Sequence, residues 1–158
     1  GLDNVYLTSG YTLQEVSGKE YVRITNVEGL WKAIGISIAT EQNELTPQEI
    51  RFLRAHMNLT QGELAKKLGV DQQTLARWEK AQTQLPGPAD LALRTLFLTS
   101  PAAQPEGSEI IGELYDLIDK REGETKPEFS AKRLIRTMGM DQDKWKTSTN
   151  SDQLELAI

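Results

Sequence analysis

The chain has no cysteine and a single histidine, His56, in 158 residues. Without cysteine there are no disulfides, no thiolate metal sites and no thiol catalysis, and the redox compartment is left open. One histidine builds neither a histidine metal cluster nor a catalytic triad. Long apolar runs are missing too. None approaches the roughly 20 residues of a membrane span, and no basic-then-apolar signal segment opens the chain. Gly1 stands where an initiator Met would, which leaves room for a missing or processed N-terminal portion. No phosphate loop, metal-ligand spacing or nucleophile–base pair occurs. The expectation is a cytoplasmic, non-enzymatic protein without cofactor, metal or membrane partner. Acidic residues such as Asp116 and Asp119 read as the solvated face of a helix.

What the chain does have is a globular composition, 38% hydrophobic and 26% charged, in a length that suits one or two domains. The net charge of −5 is unevenly spread. Residues 1–45 hold three basic and six acidic residues, and residues 98–158 hold eight and twelve. Between them, residues 46–97 hold seven basic and five acidic residues, the only net-positive part. A nucleic-acid reader needs a local positive face rather than a basic whole chain.

That segment contains Thr60 to Lys80, TQGELAKKLGVDQQTLARWEK. Thr60 is placed to cap a helix, and Glu63 completes a capping box three residues on. Leu64, Ala65 and Leu68 make one apolar face. Gly69 sits where a positive φ ends the helix. Asp71 caps a second helix with Leu75, Ala76 and Trp78 inward and Gln72, Gln73, Thr74 and Arg77 outward. Two short helices joined this way form a helix-turn-helix, whose second helix enters the DNA major groove.

The stretch resembles the helix-turn-helix of the XRE (Cro/C1-type) repressors. Gln61, Leu64, Ala65, Leu68, Gly69, Val70, Thr74, Leu75, Trp78 and Glu79 carry the resemblance, which covers Thr46 to about Leu98. Ala81 departs from the pattern where family members often have Gly. The resemblance implies a lambda-repressor-like all-α domain, double-stranded DNA as partner and a homodimer. It also implies that Gln61 bonds a phosphate and braces Gln72 from behind. A β-rich N-terminus joined to such a domain is similar to antitoxins of the MqsA/YgiT type. These bind a toxin with one domain and their operator with the other. Their zinc-binding cysteines are absent here, which excludes a zinc fold for the residues present.

The remaining elements follow from local pattern. Val5-Tyr6-Leu7, Tyr11–Val16 and Glu20–Thr25 read as strands of a small antiparallel meander, with turns at Ser9-Gly10 and Ser17-Gly18. Tyr6, Tyr11 and Tyr21 read as half-buried sheet residues rather than a base-stacking surface. Val27–Thr40 reads as a helix capped by Asn26, with Trp31 in the core. Gly29 and Gly35 each weaken it by roughly 1 kcal/mol. Thr46-Pro47-Gln48-Glu49 starts the next helix, with Ile50 and Leu53 inward and Arg51 and Arg54 outward. Pro86-Gly87-Pro88 block a helix that resumes at Ala89–Leu98. Thr99–Gly107 is a linker. Ser108 caps an amphipathic helix bearing Ile110, Ile111, Leu114, Leu117 and Ile118, which has to dock on its own core or a twin. Ser130–Met138 reads as a short helix with Lys132, Arg133 and Arg136 on a basic face. From Asp141 the chain reads as a disordered or docking tail.

The expected fold class is therefore α+β. A β-rich region with one helix spans residues 1–45, the helix-turn-helix domain 46–98, and a linker, helical extension and tail 99–158.

The chemistry of the outward face suits base reading. A glutamine side chain offers an acceptor and a donor side by side, matching adenine N6 and N7 in the major groove. A good bidentate pair is worth about 1–3 kcal/mol of discrimination. Gln72 is the first candidate and Gln73 the next. Thr74 offers a methyl to thymine or a hydroxyl to phosphate, and Arg77 reaches base or phosphate. Thr60, Gln61 and Lys80 are phosphate candidates, followed by Gln82. A sequence-specific transcriptional regulator, a repressor, is the leading expectation. An antitoxin or a protein–protein interaction module is the alternative.

Overall fold

The computed structural model describes residues 2–41, 43–103, 135–142 and 144–150. These residues fall into two compact units. Residues 35–103, with Leu2, belong to one, and residues 3–34 with 135–150 belong to the other. Three strands open the chain, β1 (Val5–Leu7), β2 (Tyr11–Val16) and β3 (Lys19–Ile24). Five helices follow: α1 (Val27–Thr40), α2 (Pro47–His56), α3 (Gln61–Lys67), α4 (Gln72–Glu79) and α5 (Gly87–Leu98). Strands β4 (Ile135–Asp141) and β5 (Lys144–Asn150) come last. No helix among the described residues is long and apolar enough to cross a membrane.

The strands differ from the expected meander. β2 and β3 form a hairpin, but β1 pairs in parallel with β4, Val5 opposite Arg136 and Leu7 opposite Met138. β4 also pairs antiparallel with β5, giving the sheet order β1-β4-β5. This overturns the helical extension expected at the C-terminus: strands stand where the short helix ending at Met138 and the start of the disordered or docking tail were expected, and residues 151–158 lie outside the described residues. Arg136 is buried rather than on a basic face, as is Met138 two residues on. In β5, exposed Lys144, Lys146 and Ser148 alternate with half-buried Trp145 and Thr147, the period of two of a strand. The amphipathic helix from Ser108, together with Lys132 and Arg133, lies outside the described residues.

In the helical unit the local rules hold closely. Thr46 accepts from Glu49 N–H while Glu49 accepts from Thr46 N–H at 2.8 Å, and Thr60 and Glu63 repeat this capping box on α3. Asp71 caps α4 by accepting from Thr74 N–H at 2.8 Å. Three successive helices end in the same way. A residue at positive φ follows each C-cap: Asn58 (54°), Gly69 (70°) and Ala81 (57°). The next N–H reaches back five residues: Leu59 to Arg54, Val70 to Ala65 and Gln82 to Arg77, at 2.9–3.1 Å. This is the Schellman closure. Glycine and asparagine enter this region readily, whereas Ala81 carries the Cβ clash.

α5 starts at Gly87, two residues before the expected start. Pro88 sits in its first turn, where a missing N–H has no helical partner to lose. The core of the unit includes Ile50, Leu53, Leu64, Ala65, Leu75, Trp78, Leu93 and Phe97, all buried. Gly35 owes its place to the Phe97 ring, which fills the space a Cβ would take. Arg94 is wholly buried within this unit. Its Nε donates to Asp90 at 2.5 Å, and its Nη atoms donate to the carbonyls of Ile38, Glu41 and Asn43. A buried cation is tolerable when paired and bonded in this way.

Trp31 is not a core residue; it is 40% exposed. Tyr6, Tyr11 and Tyr21 are 40–52% exposed, more than half-buried sheet residues would be.

Candidate nucleic-acid interface

α3 and α4 meet through their apolar faces, Leu64 and Ala65 on one and Leu75 and Trp78 on the other, all buried. The turn between them needs Gly69 at φ 70°. The pair is tied to α2 by Glu79, which is 3% exposed. Arg54 donates to Glu79 through Nε at 2.6 Å and Nη2 at 3.1 Å, a two-pronged bond, and its Nη1 donates to Leu59 O at 3.0 Å. Gln61 Nε2 donates to Glu79 Oε2 at 2.8 Å. One carboxylate thus joins α2, the first residue of α3 and the last residue of α4. Arg54 is half-buried and paired, not facing outward, and Glu79 acts as the structural partner its position suggests.

The candidate residues divide by what their polar atoms already do. Gln72, Gln73, Arg77 and Lys80 are exposed on α4 and its C-cap. The amide oxygen of Gln72 lies 3.5 Å from the place a Cβ would take on Gly62, so this side chain lies against the first turn of α3. Its neighbour there is Gly62, while the amide of Gln61 is engaged by Glu79. Thr74 is half-buried, and its hydroxyl donates to Asp71 Oδ2 at 2.7 Å. Thr60 is exposed, with both N–H and hydroxyl donating to Glu63 Oε2 at 2.7 Å.

Two carboxylates therefore stand at the N-termini of α3 and α4. The backbone and hydroxyl of Thr60 hold Glu63 below the usual carboxylate range. The hydroxyl and N–H of Thr74 do the same to Asp71. Both stay charged at neutral pH. They complement the positive helix ends, and they occupy donors that a phosphate would otherwise take. Nearby, His56 packs edge-on against Phe52, ring centroids 4.6 Å apart, and burial pulls its pKa down.

Charge counted by exposure changes the picture from the sequence. Within residues 46–97, Arg54 and Arg94 are matched by Glu79 and Asp90 below the surface. The exposed charges are Arg51, Lys66, Lys67, Arg77 and Lys80 against Glu63 and Asp71. The surface is thus three charges positive, one more than the segment's sequence total. The sequence reading missed the Arg54–Glu79–Gln61 bonds. Their only sequence signal was an arginine in the last turn of one helix and a glutamate at the end of another, 25 residues apart. Among the described residues, no group of His, Asp and Glu is placed to hold a metal ion.

A helix-turn-helix family model matches residues 50–92, from Ile50 in α2 into α5. No curated protein and no solved structure matches the chain. The family match supports a general DNA-binding regulatory function for this segment.

Proposed function

We propose that the chain is a sequence-specific transcriptional repressor, with residues 46–98 as its DNA-reading domain and α4 as its recognition helix. The observation that carries this reading is the outer face of α4. Gln72, Gln73 and Arg77 are exposed there on a helix whose inner face is locked by Leu75, Trp78 and Glu79. A rigid helix presenting side-by-side donors and acceptors is what base-edge reading requires. Gln72 and Gln73 read bases, Arg77 reads base or phosphate, and Thr74 offers its methyl to thymine. Lys80 bonds phosphate directly, and Thr60 and Gln61 do so by exchanging their present bonds to Glu63 and Glu79. Three surplus exposed charges neutralise few phosphates, so one copy binds weakly at cellular salt. Two copies on a two-fold site double the contacts.

In vitro selection of bound DNA tests this directly. The expected outcome is a two-fold site with A·T pairs at the positions facing Gln72. On that site, Gln72→Ala weakens binding by about 1–3 kcal/mol and relaxes preference at one position. Lys80→Ala weakens all sites alike and flattens the salt dependence. Equal affinity of wild type and Gln72→Ala/Arg77→Ala for the selected site overturns the assignment.

A further inference from the structure

Five of the eight exposed large hydrophobic residues among the described residues lie on the β2–β3 hairpin. Its two-residue turn, Ser17 and Gly18 at φ 55° and 74°, fixes the register. That register sorts the side chains. One face carries Tyr11, Leu13, Val22 and Ile24, with Glu15 directly opposite Glu20 nearest the turn. The other carries Thr12, Gln14, Val16, Lys19, Tyr21 and Arg23. On the first face Leu13 and Val22 oppose each other while 57% and 60% exposed. Two features of this face weaken the free hairpin. An uncovered two-stranded ribbon is marginal in water, and like charges directly opposite repel. A single kind of partner relieves both.

We propose that this face docks a second protein whose contacting surface is apolar and bordered by lysine or arginine. The carboxylate pair sets the sign of the border, and Leu13 and Val22 supply the contact. A second copy of this chain laid on the same face would bring two more glutamates and no cation, because Lys19 and Arg23 project from the opposite face. DNA phosphate meets the same repulsion. The inference does not rest on the DNA reading.

The test titrates the full chain with two synthetic amphipathic helical peptides. Each has a leucine stripe, bordered by lysine in one and by glutamate in the other. The lysine-bordered peptide binds at least about tenfold tighter, and the difference shrinks as salt screens it. Leu13→Ser/Val22→Ser abolishes that binding. Glu20→Lys removes the preference, because the face then carries one charge of each sign, and raises the melting temperature, because a repulsive cross-strand pair becomes an attractive one. Affinity for the selected DNA is unchanged in all these variants. Equal binding of the two peptides, or binding indifferent to Leu13→Ser/Val22→Ser, overturns the proposal. So does self-association of the chain in sedimentation that Leu13→Ser removes, which would make a second copy the occupant. Loss of DNA affinity in these variants would place the hairpin in the DNA surface instead.

Discussion

α4 and the β2–β3 hairpin both show side chains to solvent, and they do so on opposite terms. In α4 the exposed residues are glutamines and an arginine, and the apolar residues Leu75 and Trp78 are buried behind them. In the hairpin the exposed residues include Leu13 and Val22, and nothing on β2 is buried. The helix has spent its hydrophobic residues on its own core, which frees its polar face for a polar ligand. The hairpin holds its hydrophobic residues in reserve. What a segment buries already limits what it is able to bind.

Substitutions break this comparison in a graded way. The largest effect is expected at Glu79. Its side chain is 2% exposed and that of its partner Arg54 is 19% exposed. Glu79→Ala leaves a partly buried guanidinium without its counter-charge and costs about 3–5 kcal/mol. Urea unfolding measures the loss. Arg54→Met/Glu79→Leu recovers most of it, because an apolar pair leaves no stranded charge.

Next comes a matched pair of leucines. Leu75→Ala removes a fully buried side chain and costs about 2–5 kcal/mol. Leu13→Ala, on the hairpin, stays within about 0.5 kcal/mol. Similar losses at the two positions would mean that the hairpin face is covered in the free chain, and the contrast would fail.

Ala81 sharpens the helical side in the other direction. Its left-handed backbone is strained by its Cβ, so Ala81→Gly raises stability by about 1 kcal/mol. A shift of the urea midpoint upward, with unchanged slope, is the expected reading.

The smallest effect is in acid. Glu63 and Asp71 have folded pKa values below their ordinary 4.5 and 3.8. A depressed carboxylate contributes stability that is present above its ordinary pKa and lost as pH falls through the folded value. His56 also has its folded pKa lowered, by burial, from 6.5. Its term is constant above that pH and turns against the fold as the unfolded chain takes up a proton below it. Stability is thus expected to decline in two stages on acidification. His56→Phe removes the first, and Glu63→Gln/Asp71→Asn flattens the second.

The helical unit was largely legible because its signals are local. Thr46–Glu49, Thr60–Glu63 and Asp71–Thr74 each span three residues, and Gly69 states its own φ. The β unit was not. β1 finds β4 across a separation near 130 residues, and no propensity of Val5-Tyr6-Leu7 names that partner. β5 did carry a strand's alternation in Lys144-Trp145-Lys146-Thr147, but its polar composition read as a tail. Within the site, outward polar residues were legible as a set. Which of them were already engaged was not, because Gln61 is claimed by Glu79, 18 positions away.

The parallel pairing of β1 with β4 also sets an order of events during synthesis. β1 leaves the ribosome well before its neighbour, which is made about 130 residues later. At about 5–20 residues per second, that interval is roughly 6–26 s, far longer than a small helical unit needs to fold. The helical unit is therefore complete while the sheet is still waiting for its central strand. A nascent chain halted before Ile135 carries a folded helical unit and an orphaned first strand.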